Sequence, residues 1–435
     1  MPGKPLGTTI FPTARTTQRK WILTGLYLLL TFFATSPIFL RTQSEFDTVF
    51  IAYARMLAWG GDIYHEGTPY LYPPWMAFFS VPFSWLPHWL SRGAFGLLNM
   101  ACLVAAVGAA WKLASIYRTG NKSSPWVFIL GLLCSATFFL NCTSHQQMDV
   151  IIAGLVLLGC WVFFKGKEGT GGVLLGIAAA FKMTPLLFLP YFLYRAKPKA
   201  AISLAGAFLL CNFLPDLFFP PPLGQPRILA FVERQLLPMA SPGFVPGTWA
   251  SEIVYNQSLS GFAKRMVQTR IENTEGKWRI ATLQSSEAAS QVKKLFLLMV
   301  GACLLLGFYS LGWPGRRSVD FPLEASLVIC GMLLLSPMSG LAHFGILVLP
   351  AFCLAFGTLQ AGWKFGPWFL ALPLLGGVFL NKDLSGEGIY TFLLWSGALT
   401  AATLSLFAGS CWSLIGKRKI QSVAVQVETR GSQAA

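Results

Sequence analysis

The sequence predicts an all-α protein that crosses a membrane many times, and its composition carries this prediction. Only 11% of the 435 residues are charged, whereas 54% are hydrophobic and 14% are aromatic. Apolar segments of about 18 residues or more recur from end to end, as membrane-spanning helices require. The formal net charge of +16 comes from short cationic clusters between these segments, a pattern typical of topology signals rather than of a nucleic-acid-binding face.

The apolar segments predict about twelve membrane crossings. The first, residues 21–40, follows a disordered leader of residues 1–20 and is too long for the core of a cleaved signal peptide, so we expect a signal anchor. The other predicted segments are 91–112, 125–141, 149–164, 171–194 (a hairpin, counted twice), 200–219, 293–312, 321–338, 343–360, 366–380 and 389–413. Together they form one integral-membrane domain, residues 21–413, followed by a basic, disordered tail, residues 414–435.

The cationic clusters predict the orientation of the chain, because short connections rich in Lys and Arg stay in the cytoplasm. Both termini are then cytoplasmic, and the two longer polar segments, residues 41–90 and 220–292, share the outer face. Residues 73–90 contain several prolines and predict an interfacial or re-entrant helix rather than a full crossing. We expect a multi-pass protein of a bacterial inner (plasma) membrane.

Lys182 lies in the middle of an apolar stretch, inside the sequence "FKMTP". Cations flank the stretch 171–194 on both sides, which predicts two half-length helices that meet at Lys182. A lysine at such a depth costs about 2.5–3.5 kcal/mol on insertion scales unless an anion or a polar cavity receives it. Lys182 is therefore a candidate for anion binding, and the alternative is a lysine that extends to the nearby headgroups.

The first outer segment carries Asp47 and Asp62 on either side of an amphipathic stretch, "FIAYARMLAWGG". The stretch predicts a helix that begins near Asp47 and ends at the glycine pair Gly60–Gly61. Acidic residues beside a bilayer are unfavourable unless water, a partner or a substrate requires them. The alternative is a solvated loop whose acids stabilise helix starts.

Five motifs in order then resemble one known family. They are Asp47 with Gly60/Gly61, Tyr64 and Tyr72-Pro73-Pro74; Gln146-Gln147-Met148-Asp149; Ala180 to Pro185 around Lys182; "NQSLSGFAKR", Asn256 to Arg265; and "SPMSGLAH", Ser336 to His343. Across residues 44–360 the chain resembles the polyprenol-phosphate-sugar-dependent glycosyltransferases of family 87, which have the GT-C fold. It departs from the family pattern at four positions, where Gln146 replaces Gly, Asp149 replaces Asn, and Gly340 and Ala342 replace Trp and His.

The resemblance implies inverting transfer of a sugar, mannose in this family, from a polyprenyl-phosphate donor to an acceptor hydroxyl on the extracytoplasmic face. A phosphate leaving group needs cationic stabilisation, and one carboxylate can take the acceptor proton. The implied site residues are Asp47 and His343 for catalysis, Lys182 and Arg265 for the donor phosphate, and Tyr64, Tyr72, Gln147, Asp149, Asn256 and Gln257 for substrate binding.

No cofactor or metal is expected, because the outer acids are scattered and no D-x-D pair occurs. The nine cysteines show no C-x-x-C or Cys/His ligand spacing. The expected partners are the lipid-linked sugar donor, a glycolipid or glycan acceptor and membrane lipid, and no nucleic acid. The sequence does not define the acceptor.

Two other functional classes stay open on the sequence alone. A secondary transporter or a flippase of lipid-linked glycans would also have broken helices and buried charges, although its polar residues should gather near the midplane of the bilayer. A structural or assembly protein without enzymatic activity would give no common reason for the presence of Asp47, Lys182 and His343. Convergence of these three side chains on one cavity distinguishes the enzyme from both alternatives.

Overall fold

The structure of the chain is a computed structural model. It describes residues 44–120, 124–222, 224–241, 243–248, 254–274, 277–282, 286–314 and 320–434. The predicted leader, residues 1–20, and the predicted signal anchor, residues 21–40, lie outside the described residues.

Helices dominate both halves of the described chain. In the first half they are α1 (Ala52–Ala58, continuing a π-helical turn Phe46–Ile51), α2 (Pro74–Ser84), α3 (His88–Ala114), α4 (Pro125–Leu133), α5 (Ala136–Ser144), α6 (Asp149–Phe164), α7 (Glu168–Phe181), α8 (Phe188–Tyr194) and α9 (Pro198–Phe218). In the second half they are α10 (Arg227–Phe231), α11 (Leu259–Gln268), α12 (Ser286–Leu311), α13 (Phe321–Leu334), α14 (Val348–Leu359), α15 (Gly366–Phe379), α16 (Lys382–Trp395) and α17 (Ala398–Ala434).

The lengths and compositions of the described helices identify an integral membrane protein. Five are long and apolar enough to cross a bilayer, and α4 with α5 adds a sixth crossing if this pair, bent by 52°, is one span. The five spans are His88–Tyr117, Pro198–Phe218, Glu287–Leu311, Leu341–Leu359 and Ala398–Arg418. Shorter apolar helices accompany them, among them α6 and α7. The number of twelve crossings stays a prediction.

The chain reverses at Lys182, as the sequence predicts. Lys182 has an extended backbone, with φ −156° and ψ 123°, at the end of α7. Helices α7 and α9 run parallel, because Gly172 lies against Ala200 and Gly176 against Leu204. A Cβ atom at either glycine would collide with a backbone carbonyl of α9, so glycine permits this close approach. Helix α8 therefore returns the chain to the end where α7 began.

Two groups of contacts define the two ends of the helical bundle. One end, called the basic end below, holds the ion pairs Glu168–Lys197 (2.7 Å) and Arg195–Glu324 (2.6 Å). The opposite end, called the loop end, holds residues 44–73 and the starts of α3 and α6. Lys182 and Asp149 meet at the loop end, so α6 and α7 cross the bundle in opposite directions.

The first segment of the loop end is helical from Phe46 to Ala58. It ends at Gly60, whose φ of 77° lies in the left-handed region that glycine adopts readily. Phe46 stacks on Phe95 of α3 with ring centroids 4.3 Å apart, and Phe50 is fully buried. The predicted helix is confirmed, and its packing on α3 places Glu45 and Asp47 beside the bundle.

Four predictions about the fold need correction. The chain is not purely α-helical, because strands β1 (Thr269–Thr274) and β2 (Lys277–Thr282) pair antiparallel, with Ile271 opposite Ile280. The helix in residues 73–90 stops at Ser84, and His88 already begins α3. The segment 389–413 is split between α16 and α17 at Gly397, which has φ 76°. Residues 414–434 continue α17.

Candidate active site

Three side chains from distant parts of the sequence meet at the loop end. Lys182 Nζ lies 3.0 Å from Asp149 Oδ1 and contacts His343 Nε2, which is 3.6 Å from the same carboxylate oxygen. Asp149 begins α6, Lys182 follows the last residue of α7, and His343 lies in the 3-10 turn Leu341–Leu347. Two helix termini and one turn thus fix this group, called the Lys182 cluster below.

The hydrogen bonds of His343 define which ring nitrogen carries the proton. The backbone N–H of Gly340 donates to Nδ1 at 3.0 Å, so Nδ1 is an acceptor. In the neutral ring the proton is then on Nε2. The Nε2–H and the neighbouring Lys182 ammonium are both donors, so neither accepts from the other and both face the Asp149 carboxylate. Neutral His343 is therefore a hydrogen-bond donor into the site and has no free nitrogen with which to act as a base.

A small cavity opens beside the Lys182 cluster. It is lined by Asp149, Ile152, Ala153, Lys182, Thr184, Met332, Leu333, Ser336, Ser339, His343 and Ile346. Its volume of about 20 Å³ is enough for about one water molecule. A sugar phosphate can enter only if surrounding side chains move apart.

The expected convergence of Asp47, Lys182 and His343 on one cavity is met by Lys182 and His343 only. Asp47 lies in a separate ion pair with Arg92 of α3. Arg92 Nε is 3.3 Å from Oδ1 and 3.2 Å from Oδ2 of Asp47, and Arg92 Nη2 also contacts Oδ2. His88 Nε2 lies 3.1 Å from Oδ1, and Ser44 Oγ donates to Oδ2 at 2.8 Å. Burial by itself would raise the pKa of Asp47, but the hydrogen bonds and charges of these neighbours outweigh it and hold the pKa below its ordinary value.

Glu45 faces different neighbours, although it is only two residues from Asp47. Its Oε1 accepts a hydrogen bond from Tyr72 Oη at 2.7 Å, and its Oε2 accepts one from Gln147 Nε2 at 2.6 Å. Gln147 belongs to the turn that leads into Asp149. Glu45 is therefore joined to the same turn as the Lys182 cluster.

The turn before Asp149 has an unusual backbone at Gln146. This residue has φ 54°, in the left-handed region that favours glycine, and glycine is the residue that the family-87 pattern has at this position. The side-chain amide oxygen of the buried Gln146 lies 2.6 Å from Ser44 Oγ. The substitution thus ties the turn to the segment that carries Glu45 and Asp47.

Asn256 and Gln257 are fully buried and bind protein rather than open space. Asn256 Nδ2 donates to the Pro337 carbonyl at 2.8 Å, and Asn256 Oδ1 accepts from the Ser339 N–H at 3.1 Å. The Gln257 N–H donates to the Ser339 carbonyl at 2.7 Å. They do not line the small cavity but hold the loop that leads to His343, and their role in substrate binding stays a prediction.

Arg265 and Tyr64 also lie away from the cavity lining. Arg265 is fully buried, donates to the Trp395 carbonyl at 3.0 Å and contacts the Asn256 carbonyl. Burial lowers the pKa of Arg265 to about 10. Tyr64 is 1% exposed and donates to the Tyr72 carbonyl at 2.8 Å. Arg265 therefore stabilises the turn around Asn256, and Tyr64 supports the backbone beside Glu45.

Comparison with known proteins identifies the family. The profile of glycosyltransferase family 87 matches residues 70–337, which is more than half of the chain. The chain belongs to glycosyltransferase family 87. The match includes Asp149 and Lys182 and ends before His343.

Two relatives of this family-87 chain carry the same description, polyprenol-phosphate-mannose-dependent alpha-(1-2)-phosphatidylinositol mannoside mannosyltransferase. The protein from Mycobacterium tuberculosis is 28% identical over 175 residues, 37% of this chain and 40% of the relative. The protein from Mycolicibacterium smegmatis is 28% identical over 155 residues, 32% of this chain and 35% of the relative. The alignments thus span less than half of either relative.

A solved structure that resembles the family-87 chain is ArnT from Cupriavidus metallidurans, crystallised with undecaprenyl phosphate. The alignment covers 92% of this chain and 78% of ArnT, with 13% sequence identity and a TM-score of 0.42. The apo structure of the same protein aligns with a TM-score of 0.38 and 14% identity.

Two charged groups near the site of this family-87 protein were not predicted from sequence. Arg92 lies inside an apolar stretch, where a charge is unfavourable for the same reason as at Lys182, so the sequence does contain a signal for it. The sequence gave no comparable signal for Glu45, because an acidic residue beside a membrane can equally well face water. Among the described residues, no three His, Cys, Asp or Glu side chains gather as a metal site, and metal independence stays a prediction.

Proposed function

We propose that this protein is an inverting glycosyltransferase that moves a sugar, mannose, from a polyprenyl-phosphate donor to an acceptor hydroxyl. The Lys182 cluster is the observation that carries the proposal. It places a cation, a hydrogen-bond donor and a carboxylate at a break between apolar helices, within a chain of family 87. The mannose-dependent relatives support the choice of donor.

Lys182 is suited to stabilise the leaving group. When the bond between the anomeric carbon and the phosphate oxygen breaks, the charge on the phosphate grows, and a nearby ammonium in a largely dry site stabilises that growing charge. The Lys182 side chain is 19% exposed, so water screens it only in part. The Nε2–H of His343 can donate to the same phosphate.

Asp149 neutralises Lys182 until the donor arrives. The family pattern has Asn at this position, whereas Asp149 gives Lys182 a charged partner 3.0 Å away. A donor phosphate competes with Asp149 for the ammonium, so binding requires the small cavity to widen between them. We infer that this exchange couples donor binding to opening of the site.

A carboxylate of the first segment completes the reaction by taking the acceptor proton, a role for which the sequence predicts Asp47. Direct attack by the acceptor oxygen inverts the anomeric centre, so a β-linked donor yields an α-glycoside. The site is proposed to face the extracytoplasmic side, where the positive-inside rule places the loop end.

Mass spectrometry of lipid-linked glycans tests the proposed function in cells. Cells that lack the protein should accumulate an acceptor that is one sugar shorter than the normal product, and expression of the wild type should restore the product. Expression of Lys182→Met should not restore it, whereas Lys199→Met, a change at an exposed lysine of α9, should. An unchanged glycan profile in cells without the protein would contradict the proposal.

A further inference from the structure

The two acids at the start of the first segment differ in charge compensation. Both oxygens of Asp47 are bound by Arg92, whose side chain is only 5% exposed, and His88 and Ser44 add further donors. A carboxylate paired in this way with a buried guanidinium is electrically neutralised and has few free lone pairs. Asp47 is therefore poorly placed to take a proton from an alcohol.

Glu45 is bound by neutral donors and keeps part of its capacity to accept hydrogen bonds. Each of its oxygens receives one hydrogen bond, from Tyr72 or from Gln147, and both donors are neutral groups. Among the described residues no cation forms an ion pair with Glu45. An ionised carboxylate can accept about four hydrogen bonds, so Glu45 retains free lone pairs for a substrate hydroxyl.

The backbone directs the two acids to different sides. Residues two apart on a helix do not share a face, and Glu45 and Asp47 are two apart at the start of a helical segment. Asp47 points to Arg92, whereas Glu45 points to Tyr72 and Gln147. Burial raises the pKa of Tyr72, and the negative charges of both Glu45 and Asp149 raise it further. Glu45 is thus on the side of the Lys182 cluster.

We propose that Glu45, rather than Asp47, is the general base of the sugar transfer. The proton of the acceptor hydroxyl passes to a Glu45 oxygen while the acceptor oxygen bonds to the anomeric carbon. The bond from that carbon to the phosphate oxygen breaks, its electron pair stays with the polyprenyl phosphate, and Lys182 stabilises the added charge. Glu45 then releases the proton to water. Asp47 is a positioning residue that fixes the start of the first segment to α3 through Arg92.

This inference rests on the proposed function, and kinetic comparison of Glu45→Gln with Asp47→Asn tests it. Each variant is reconstituted in nanodiscs with polyprenyl-phosphate-[14C]mannose and a lipid extract of cells that lack the protein. Loss of a general base costs ~10² to 10⁴ in rate, so kcat of Glu45→Gln should fall by that factor while donor binding stays unchanged. Asp47→Asn should retain more than about a tenth of kcat per folded molecule, which a lost general base could not. Glu66→Gln, at an exposed acid of the same segment, is the matched control.

Rescue by azide distinguishes the role of Glu45 from that of Asp47 even if both substitutions abolish sugar transfer. Azide is an anionic nucleophile that needs no base, so it should restore release of polyprenyl phosphate, with formation of mannosyl azide, in Glu45→Ala but not in Asp47→Ala. The assignment of Glu45 would be overturned if azide restored polyprenyl-phosphate release in Asp47→Ala, or if it restored release in neither variant. A Glu45→Gln variant that keeps more than roughly a tenth of wild-type kcat would also overturn it. If the wild type itself transfers no label, the proposed function fails; if the wild type transfers label and only the variants disagree, the assignment of Glu45 alone fails.

Discussion

At the scale of single residues, the proposed sugar transfer depends on the charge of Lys182. Lys182→Met keeps length and apolar packing but removes the ammonium that lies 3.0 Å from Asp149. We expect kcat to fall by ~10² to 10³, the cost of losing one group that stabilises transition-state charge, and donor affinity to fall with it. Lys182→Arg should retain part of both. Steady-state kinetics in nanodiscs measure the two parameters separately.

The exposed Lys199 supplies the control for this prediction. Lys199→Met removes the same charge from the basic end and should leave kcat and KM unchanged. Equal losses in both variants would show that Lys182 acts through net charge or folding rather than through the donor phosphate.

Asp47 and Arg92 predict a pH dependence of stability. Because the folded-state pKa of Asp47 is lowered, its pairing with Arg92 stabilises the fold at pH values above the unfolded pKa of about 3.9. This contribution disappears as the pH falls through the lower, folded-state pKa. Arg92→Met should therefore be less stable than the wild type at neutral pH, and the difference should shrink below about pH 4.

Thermal unfolding in detergent across this pH range checks the prediction about Arg92. Arg270→Met is the matched control, because Arg270 pairs with Glu272 at an exposed site where ion pairs contribute little. A difference between Arg92→Met and the wild type that stays constant down to low pH would contradict the assigned ion pair.

At the scale of elements, the buried segment Asn256–Ser258 should control the position of His343. Asn256→Ala removes the hydrogen bonds to Pro337 and Ser339, each of which contributes about 0.5–1.5 kcal/mol. We expect a lower melting temperature and, because the loop before His343 loses its support, a lower kcat per folded molecule.

Asn381→Ala is the comparison for this element. Asn381 caps the start of α16, and loss of such a cap costs about 1 kcal/mol. This variant should lower stability by a similar amount and leave kcat unchanged. If both variants lose stability and neither loses activity, the loop supported by Asn256 does not belong to the site.

The sequence predicts elements well where the signal is local. Lys182 interrupts an apolar run beside a proline, and the structure breaks the helix at that residue. Gly60 follows an amphipathic stretch, and the helix ends there. The pairing of Asp47 with Arg92 joins residues 45 positions apart, and no local pattern encodes which distant cation meets which acid. For the same reason the sequence does not show that Asn256 and Gln257 bind the distant Pro337 and Ser339.

At the scale of the whole molecule, apolar composition correctly predicts an integral membrane protein, and the positions of cations predict its orientation. The β1–β2 pair and the continuation of α17 were missed. The first lies in a long polar segment without an apolar alternation strong enough to indicate strands. The second contains the basic cluster Lys417-Arg418-Lys419, which is equally typical of a disordered tail and of a helix that leaves the membrane.

Labelling of introduced cysteines tests the predicted orientation. Glu66→Cys places an exposed thiol at the loop end, and Lys364→Cys places one in the exposed turn between α14 and α15. A membrane-impermeant thiol reagent added to intact cells should label only the first, and permeabilised cells should show both. The native cysteines are buried or half-buried, so background labelling should be low. The reverse pattern would place the site on the cytoplasmic side.

The most direct test of the central claim is sugar transfer by the purified protein. In nanodiscs supplied with polyprenyl-phosphate-[14C]mannose and a lipid extract of cells that lack the protein, label should move into an acceptor in an α linkage. An equal amount of polyprenyl phosphate should be released, and the yield should be unchanged by EDTA. Intact labelled donor after incubation with active, folded protein and this extract would contradict the assignment of the chain as a glycosyltransferase.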